Sequence, residues 1–188
     1  SSAPLRAICK SMLKYSTNLT AETVGLSTSV KRGVRVGKVA DSARAMSDWV
    51  NRRFNVRGVR MVDHSGLSED SKVSAQDMVK VLSTDGWNGS LRGLMKPVGL
   101  RNADWKKAPI GGVQVTAKTG TLNFTSALAG YLDTASGQRL VFAIFTVDQS
   151  ARRGIPKSKR DRAPGAKEWA RRSRIMQHQL LAHWGRVY

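Results

Sequence analysis

Three short groups of residues have types and spacings suited to acyl-transfer chemistry. The first is Lys118-Thr119-Gly120-Thr121, at the end of a strand-like run. A lysine ammonium together with the hydroxyls of Thr119 and Thr121 can hold a peptide's terminal carboxylate by charge-assisted hydrogen bonds. Gly120 has no side chain, so a substrate backbone can approach and pair as an added strand. The backbone N–H near Thr121 can donate one hydrogen bond to an oxyanion, with a second from a nucleophile's own N–H. The second group is Ser16-Thr17-Asn18, between two helical stretches. Ser16 can relay a proton to a leaving amine, and Asn18 can position an amide carbonyl. The third, Asp63-His64-Ser65-Gly66-Leu67-Ser68, has turn composition, and Asp63 and Ser65 are expected to brace that turn through backbone hydrogen bonds.

The elements that must position these groups follow from periodicity. Leu5, Ile8 and Met12 recur at helical spacing over Pro4–Tyr15, with Ser2 as a cap. Ser16-Thr17-Asn18 interrupts the run, and a second helix is expected from about Thr20 to Val30. A third spans about Asp41–Phe54, with Ala45, Met46, Trp49 and Val50 on one face. Val59–Val62 reads as a short strand. Ser74 with Asp77 resembles a capping box that opens a helix through Leu82. A short helix near Ser90–Met95 precedes an irregular stretch over 97–112. Val113–Thr119, Ala127–Leu132 and Leu140–Val147 predict three antiparallel strands. Residues 151–164 read as a basic, mobile linker, followed by a helix over about Gly165–Trp184 with Trp169, Met176, Leu180 and Trp184 on its packed stripe. The order predicts an α+β fold, an antiparallel sheet flanked by helices. Residues 1–150 form its main part, and 151–188 a linker plus a closing helix.

Composition narrows the field. The chain has 188 residues, 40% of them apolar, enough for a real core. No apolar run approaches the roughly 20 residues of a transmembrane helix. One cysteine, Cys9, excludes an internal disulfide and is expected to be a small core residue. The histidines His64, His178 and His183 lack partners at metal-ligand spacing, so no metal and no cofactor is expected, and packing or surface roles are. The net charge is +19, and the last 38 residues hold 11 basic and 2 acidic side chains. Such an excess favours anionic partners, including acidic polymers and nucleic acid. Basic residues interleaved with exposed aromatics, and a groove-reading element, are both lacking, which argues against specific nucleic-acid binding.

The linear order of the motifs resembles the C-terminal region of the class C low-molecular-mass penicillin-binding proteins, the D-Ala-D-Ala carboxypeptidase/endopeptidases. The resemblance covers residues 2–148. It rests on Met12 through Asn18 followed by Thr20-Ala21-Glu22, Asp63 through Ser68 followed by Ser74-Ala75, Gly89 through Gly93, Ala117 through Thr121, and Ser126 through Tyr131. His64 departs from it, standing where the family usually has a small residue or Asn.

The resemblance implies a serine β-lactamase/transpeptidase-like fold, incomplete in this chain. It makes Ser16, Asn18 and Lys118 catalytic and Thr119, Gly120 and Thr121 substrate-binding. The implied substrates are peptidoglycan stem peptides ending in D-Ala-D-Ala, with β-lactams as inhibitors, in the periplasm or another extracytoplasmic space. The family's nucleophilic Ser-x-x-Lys lies far upstream of Ser-x-Asn, so an N-terminal segment is an implied partner. Ser11-Met12-Leu13-Lys14 matches that motif but ends two residues before Ser16, in the same helix, and reads as a decoy. A nucleic-acid-binding protein and a non-catalytic relative that binds cell-wall peptide are the competing readings.

Overall fold

The computed structural model describes residues 2–156 and 163–188, which fall into two compact units, Ser1–Leu94 and Met95–Tyr188.

The first unit is helical: α1 (Leu5–Tyr15), α2 (Asn18–Lys31), α3 (Val39–Phe54), α4 (Ala75–Asp85) and α5 (Ser90–Leu94). Small residues let α2 and α3 pack closely, with Gly25 and Ser29 buried on one and Ser42, Ala43 and Ser47 on the other. Helix α3 begins at Val39, earlier than the expected Asp41, because the Asp41 carboxylate reaches back to accept from the Lys38 N–H. Ser74 caps α4 as expected, its Oγ accepting from the Asp77 N–H at 2.9 Å. Ser2 does not cap α1, whose N-cap is Pro4 without a side-chain hydrogen bond. Cys9 is half-buried on α1, which has no buried residue, so it is not the core residue expected.

Val59–Val62 is not a strand. Only an isolated bridge forms there, between Arg60 and Lys72. Side chains have taken over the backbone's hydrogen bonds: Asn51 spans the Val59 N–H and C=O, Ser47 Oγ accepts from Met61 N, and Ser71 Oγ from Val62 N. A backbone satisfied in this way has little left to offer a neighbouring strand.

The second unit carries an antiparallel sheet in the order β1-β2-β3-β4. Its strands are β1 (Lys96–Pro97), β2 (Gln114–Leu122), β3 (Thr125–Asp133) and β4 (Arg139–Val147). The three long strands are those expected from the sequence, β2 from its alternation and β3 and β4 from their apolar, β-prone runs. The fourth, β1, lies at the start of the stretch expected to be irregular. It pairs Lys96 with Ala117 and Pro97 with Thr116. Leu100, Val115, Ala117, Leu128, Leu132, Phe142 and Ile144 form the core with Leu181 of the last helix.

That helix, α7 (Ala166–Val187), follows a short α6 (Gln149–Arg153). Asp148 caps α6 by accepting from the Ala151 N–H, so the expected linker starts with a helical turn and a half. Residues 157–162 of that linker lie outside the described residues. The fully buried residues of α7 are Ala166, Ala170, Ser173, Gln177, His178, Leu181 and Gly185; of the expected row, Leu180 and Trp184 pack against the core, only partly buried. Small side chains let the helix lie close to its neighbours: a Cβ on Gly185 would stand 2.8 Å from Val113 Cγ1. Gln177 Nε2 donates to Ser126 Oγ on β3, while Met176 is 38% exposed.

Candidate active site

Ser16 and Asn18 sit where α1 hands over to α2. Ser16 is the C-cap of α1 at φ 55° and ψ 49°, its N–H donating to the Met12 carbonyl. This left-handed closure is usually glycine's, so a serine there carries a backbone cost of order 1 kcal/mol. Thr17 returns to extended backbone and Asn18 opens α2. All three side chains are exposed. Ser11 and Lys14 lie on the exposed surface of α1 and make no hydrogen bond to each other.

The turn at residues 63–68 is braced from two sides. The Asp63 carboxylate accepts from the backbone of Gly66 and Ser68 and from the hydroxyls of Ser65 and Ser71. Glu22 on α2 accepts from the His64 and Ser65 N–H groups at 3.0–3.2 Å. The sequence gives Glu22 no role of its own; a single carboxylate one turn into a helix has no periodic signature. His64 packs inward, with Nε2 2.8 Å from Ser42 Oγ, which in turn donates to Ser29 Oγ at 2.6 Å. Its ring occupies the space above Gly25, where a Cβ would stand 2.2 Å away.

Lys118, Thr119, Gly120 and Thr121 lie together on β2 of the second unit. Successive strand residues project to opposite faces. Lys118 and Gly120 therefore share one face, while Thr119 and Thr121 share the other with the buried Val115 and Ala117. Lys118 is half-buried, and its ammonium donates to the Thr119 carbonyl. Burial, and then the neighbouring Lys96 charge, hold that ammonium below the usual lysine range. Strand β3 lines one edge of β2, with Lys118 opposite Ala129 and Gly120 opposite Ala127. On the other edge β1 reaches only Thr116 and Ala117. From Lys118 to Leu122 that edge carries no strand among the described residues. A Cβ on Gly120 would meet only the Ala127 Cβ, at an ordinary 3.5 Å. The fold of this unit therefore does not require glycine at 120. Together these residues offer a cation, two hydroxyls and a strand edge that β1 does not cover, the chemistry needed to seat an extended peptide with an anionic end.

The model of the D-Ala-D-Ala carboxypeptidase 3 (S13) family matches residues 1–167. The chain is 28% identical over 171 residues to carboxypeptidase DacB of Mycolicibacterium smegmatis, covering 77% of this chain and 34% of that protein. It is 27% identical over 175 residues to D-alanyl-D-alanine carboxypeptidase DacB of Haemophilus influenzae, covering 87% and 35%. It thus spans about a third of the length of these curated relatives. The solved structure of penicillin binding protein 4 (DacB) from Haemophilus influenzae, complexed with a novel β-lactam, shares the fold with a TM-score of 0.68 at 21% identity, over 96% of this chain and 42% of that one. With its antiparallel sheet, its helices and a family match over most of its length, the chain belongs to the D-Ala-D-Ala carboxypeptidase 3 (S13) family.

Proposed function

We propose that this chain is the C-terminal portion of a serine-type D-Ala-D-Ala carboxypeptidase/endopeptidase acting on peptidoglycan peptides outside the cytoplasm. The observation that supports this reading most is the Lys118-Thr119-Gly120-Thr121 sequence on β2, along the edge just beyond the reach of β1, in a chain of this family. A stem peptide ending in D-Ala-D-Ala pairs along that edge. Lys118 meets its terminal carboxylate with a cation, and Thr119 and Thr121 bind the substrate along the same strand. A serine from an upstream Ser-x-x-Lys attacks the carbonyl of the penultimate residue, and the Thr121 N–H is one donor to the oxyanion. The C–N bond breaks, Ser16 passes a proton to the departing amine, and an acyl-enzyme ester remains for water to hydrolyse. Asn18 orients the substrate's amide. β-Lactams acylate the same serine and are not released quickly.

Mass spectrometry after incubation with fluorescent penicillin tests this reading. Residues 1–188 alone form no covalent adduct. Supplying the upstream segment gives one adduct per molecule, and Ser11→Ala leaves its rate within about a few-fold. A stoichiometric adduct on any serine of residues 1–188 alone would overturn the assignment of the nucleophile to an upstream segment.

A further inference from the structure

A second feature of the Met95–Tyr188 unit stands independently of the reading above. The segment after β1 folds back on itself. Ala108 N donates to the Leu100 carbonyl, and Arg101 and Lys107 form a bridge that sets them side by side. At the tip, Trp105 adopts φ 64°. The guanidiniums of Arg101 and Arg174 each stand over its ring, 5.1 and 5.4 Å from the centroid. Its edge meets the His178 ring at 4.9 Å. Between this hairpin, β1 and α7 is a cavity of about 450 Å³. Lys96, Arg101, Lys107, Thr119 and His178 line it. Thr119 enters from the face of β2 that carries Val115 and Ala117, opposite to Lys118.

Two facts make this cavity more than a gap. His178 is only 6% exposed, yet its Nδ1 is buried without a hydrogen-bond partner. A buried polar atom left in that state costs about 1–3 kcal/mol. Furthermore, Lys96, Arg101, Lys107 and His178 make no ion pair among the described residues. Three fixed positive charges gathered around one concavity repel each other, and among the described residues no carboxylate is ion-paired with them. Burial first, then Arg101 and Arg174, push the His178 imidazole toward its neutral form. Uncompensated charge of one sign around one concavity is answered by an anion.

We infer that this cavity binds a phosphate group carried on a small organic body. Three cations from two elements offset a dianion better than a single carboxylate charge, and an arginine beside lysines suits phosphate oxygens. The cavity's volume, within the range of small-molecule sites, exceeds what a bare phosphate fills. Pro97 and Leu100 supply apolar wall for the rest of the ligand.

The test uses the imidazole as reporter. The chain has three histidines, and the His178 signal is identified by its nuclear Overhauser contact to Trp105. Glycerol 3-phosphate, titrated into the intact chain at about 0.15 M ionic strength, moves that signal saturably and raises the pH at which it titrates. Inorganic phosphate does so at least about tenfold more weakly, and acetate and chloride do not. Arg101→Gln with Lys107→Gln weakens the response about tenfold or more. Vesicles of phosphatidylglycerol form a second arm: a shift with vesicles but not with the soluble ester assigns the phosphate to a lipid headgroup. No saturable shift in either arm, an equal shift with acetate, equal affinity for inorganic phosphate, or an undiminished shift in the double variant would each overturn the inference.

Discussion

Lys96 pairs across β1–β2 with Ala117, and its charge adds to burial in holding the adjacent Lys118 ammonium below the usual lysine range. A lysine whose folded pKa lies below its unfolded value binds its proton less tightly in the folded chain. The resulting penalty is fully present below the folded pKa and fades as pH rises through it towards the unfolded one. The group proposed to hold substrate therefore costs the fold stability at neutral pH.

Lys118→Met accordingly raises the thermal midpoint at pH 7, and the gain shrinks as pH rises toward the normal lysine range. In the complete enzyme the same change slows D-Ala release by on the order of a hundredfold. Thermal melts over a pH series check the first part and turnover checks the second. A variant that melts lower at pH 7 refutes the burial argument, and wild-type turnover refutes the role of Lys118.

Ser16 separates stability from activity in the same way. Ser16→Gly leaves the midpoint unchanged or raised, because glycine adopts φ 55° without strain. Ser16→Ala lowers it slightly. Both variants of the complete enzyme lose about a hundredfold in D-Ala release. Wild-type turnover in either removes Ser16 from the proton relay.

At Gly120 a methyl group meets only the Ala127 Cβ at 3.5 Å. Gly120→Ala therefore changes stability by no more than about 0.5 kcal/mol. Acylation of the complete enzyme by penicillin falls by about tenfold or more, because the methyl stands where the substrate backbone must pass. Unchanged acylation would show that no strand is added at this edge.

Gly25 and His64 form a matched pair. Gly25→Ala drives a methyl into the imidazole ring, 2.2 Å away, and costs about 1–3 kcal/mol. His64→Asn combined with Gly25→Ala recovers most of that loss, giving a large coupling energy in a double-mutant cycle from chemical denaturation. Additive losses would mean that the ring does not occupy this space in solution.

The legible parts of the fold were those with a strong local signal. Strand β2 alternates, β3 and β4 are continuous β-prone apolar runs bounded by turn residues, and the Ser74–Asp77 cap carries its own chemistry. The Lys118–Thr121 group could be read because its residues are contiguous on one strand. What escaped depended on partners distant in sequence. Strand β1 is two residues long and carries no pattern. Val59–Val62 has a strand's composition, but Asn51, Ser47 and Ser71 claim its backbone. In α7 the large apolar residues drew attention, whereas close packing selected Ala170, Ser173 and Gly185. Glu22 was present in the motif order, but its hold on the His64 and Ser65 N–H groups spans more than 40 residues.

The stretch of β2 beyond Ala117 carries no neighbouring strand on that edge among the described residues, which bears on what can dock on it. An open strand edge is indifferent to sequence and will accept any extended chain, including the same edge of another molecule. Lys118 stands at the start of that stretch, and lysine on an edge is a known guard against such pairing. Two copies meeting edge to edge bring two ammonium groups together, whereas a peptide that ends in a carboxylate brings the opposite sign. One charge thus turns away a sibling chain and admits the proposed substrate, so the edge can stay open without becoming adhesive.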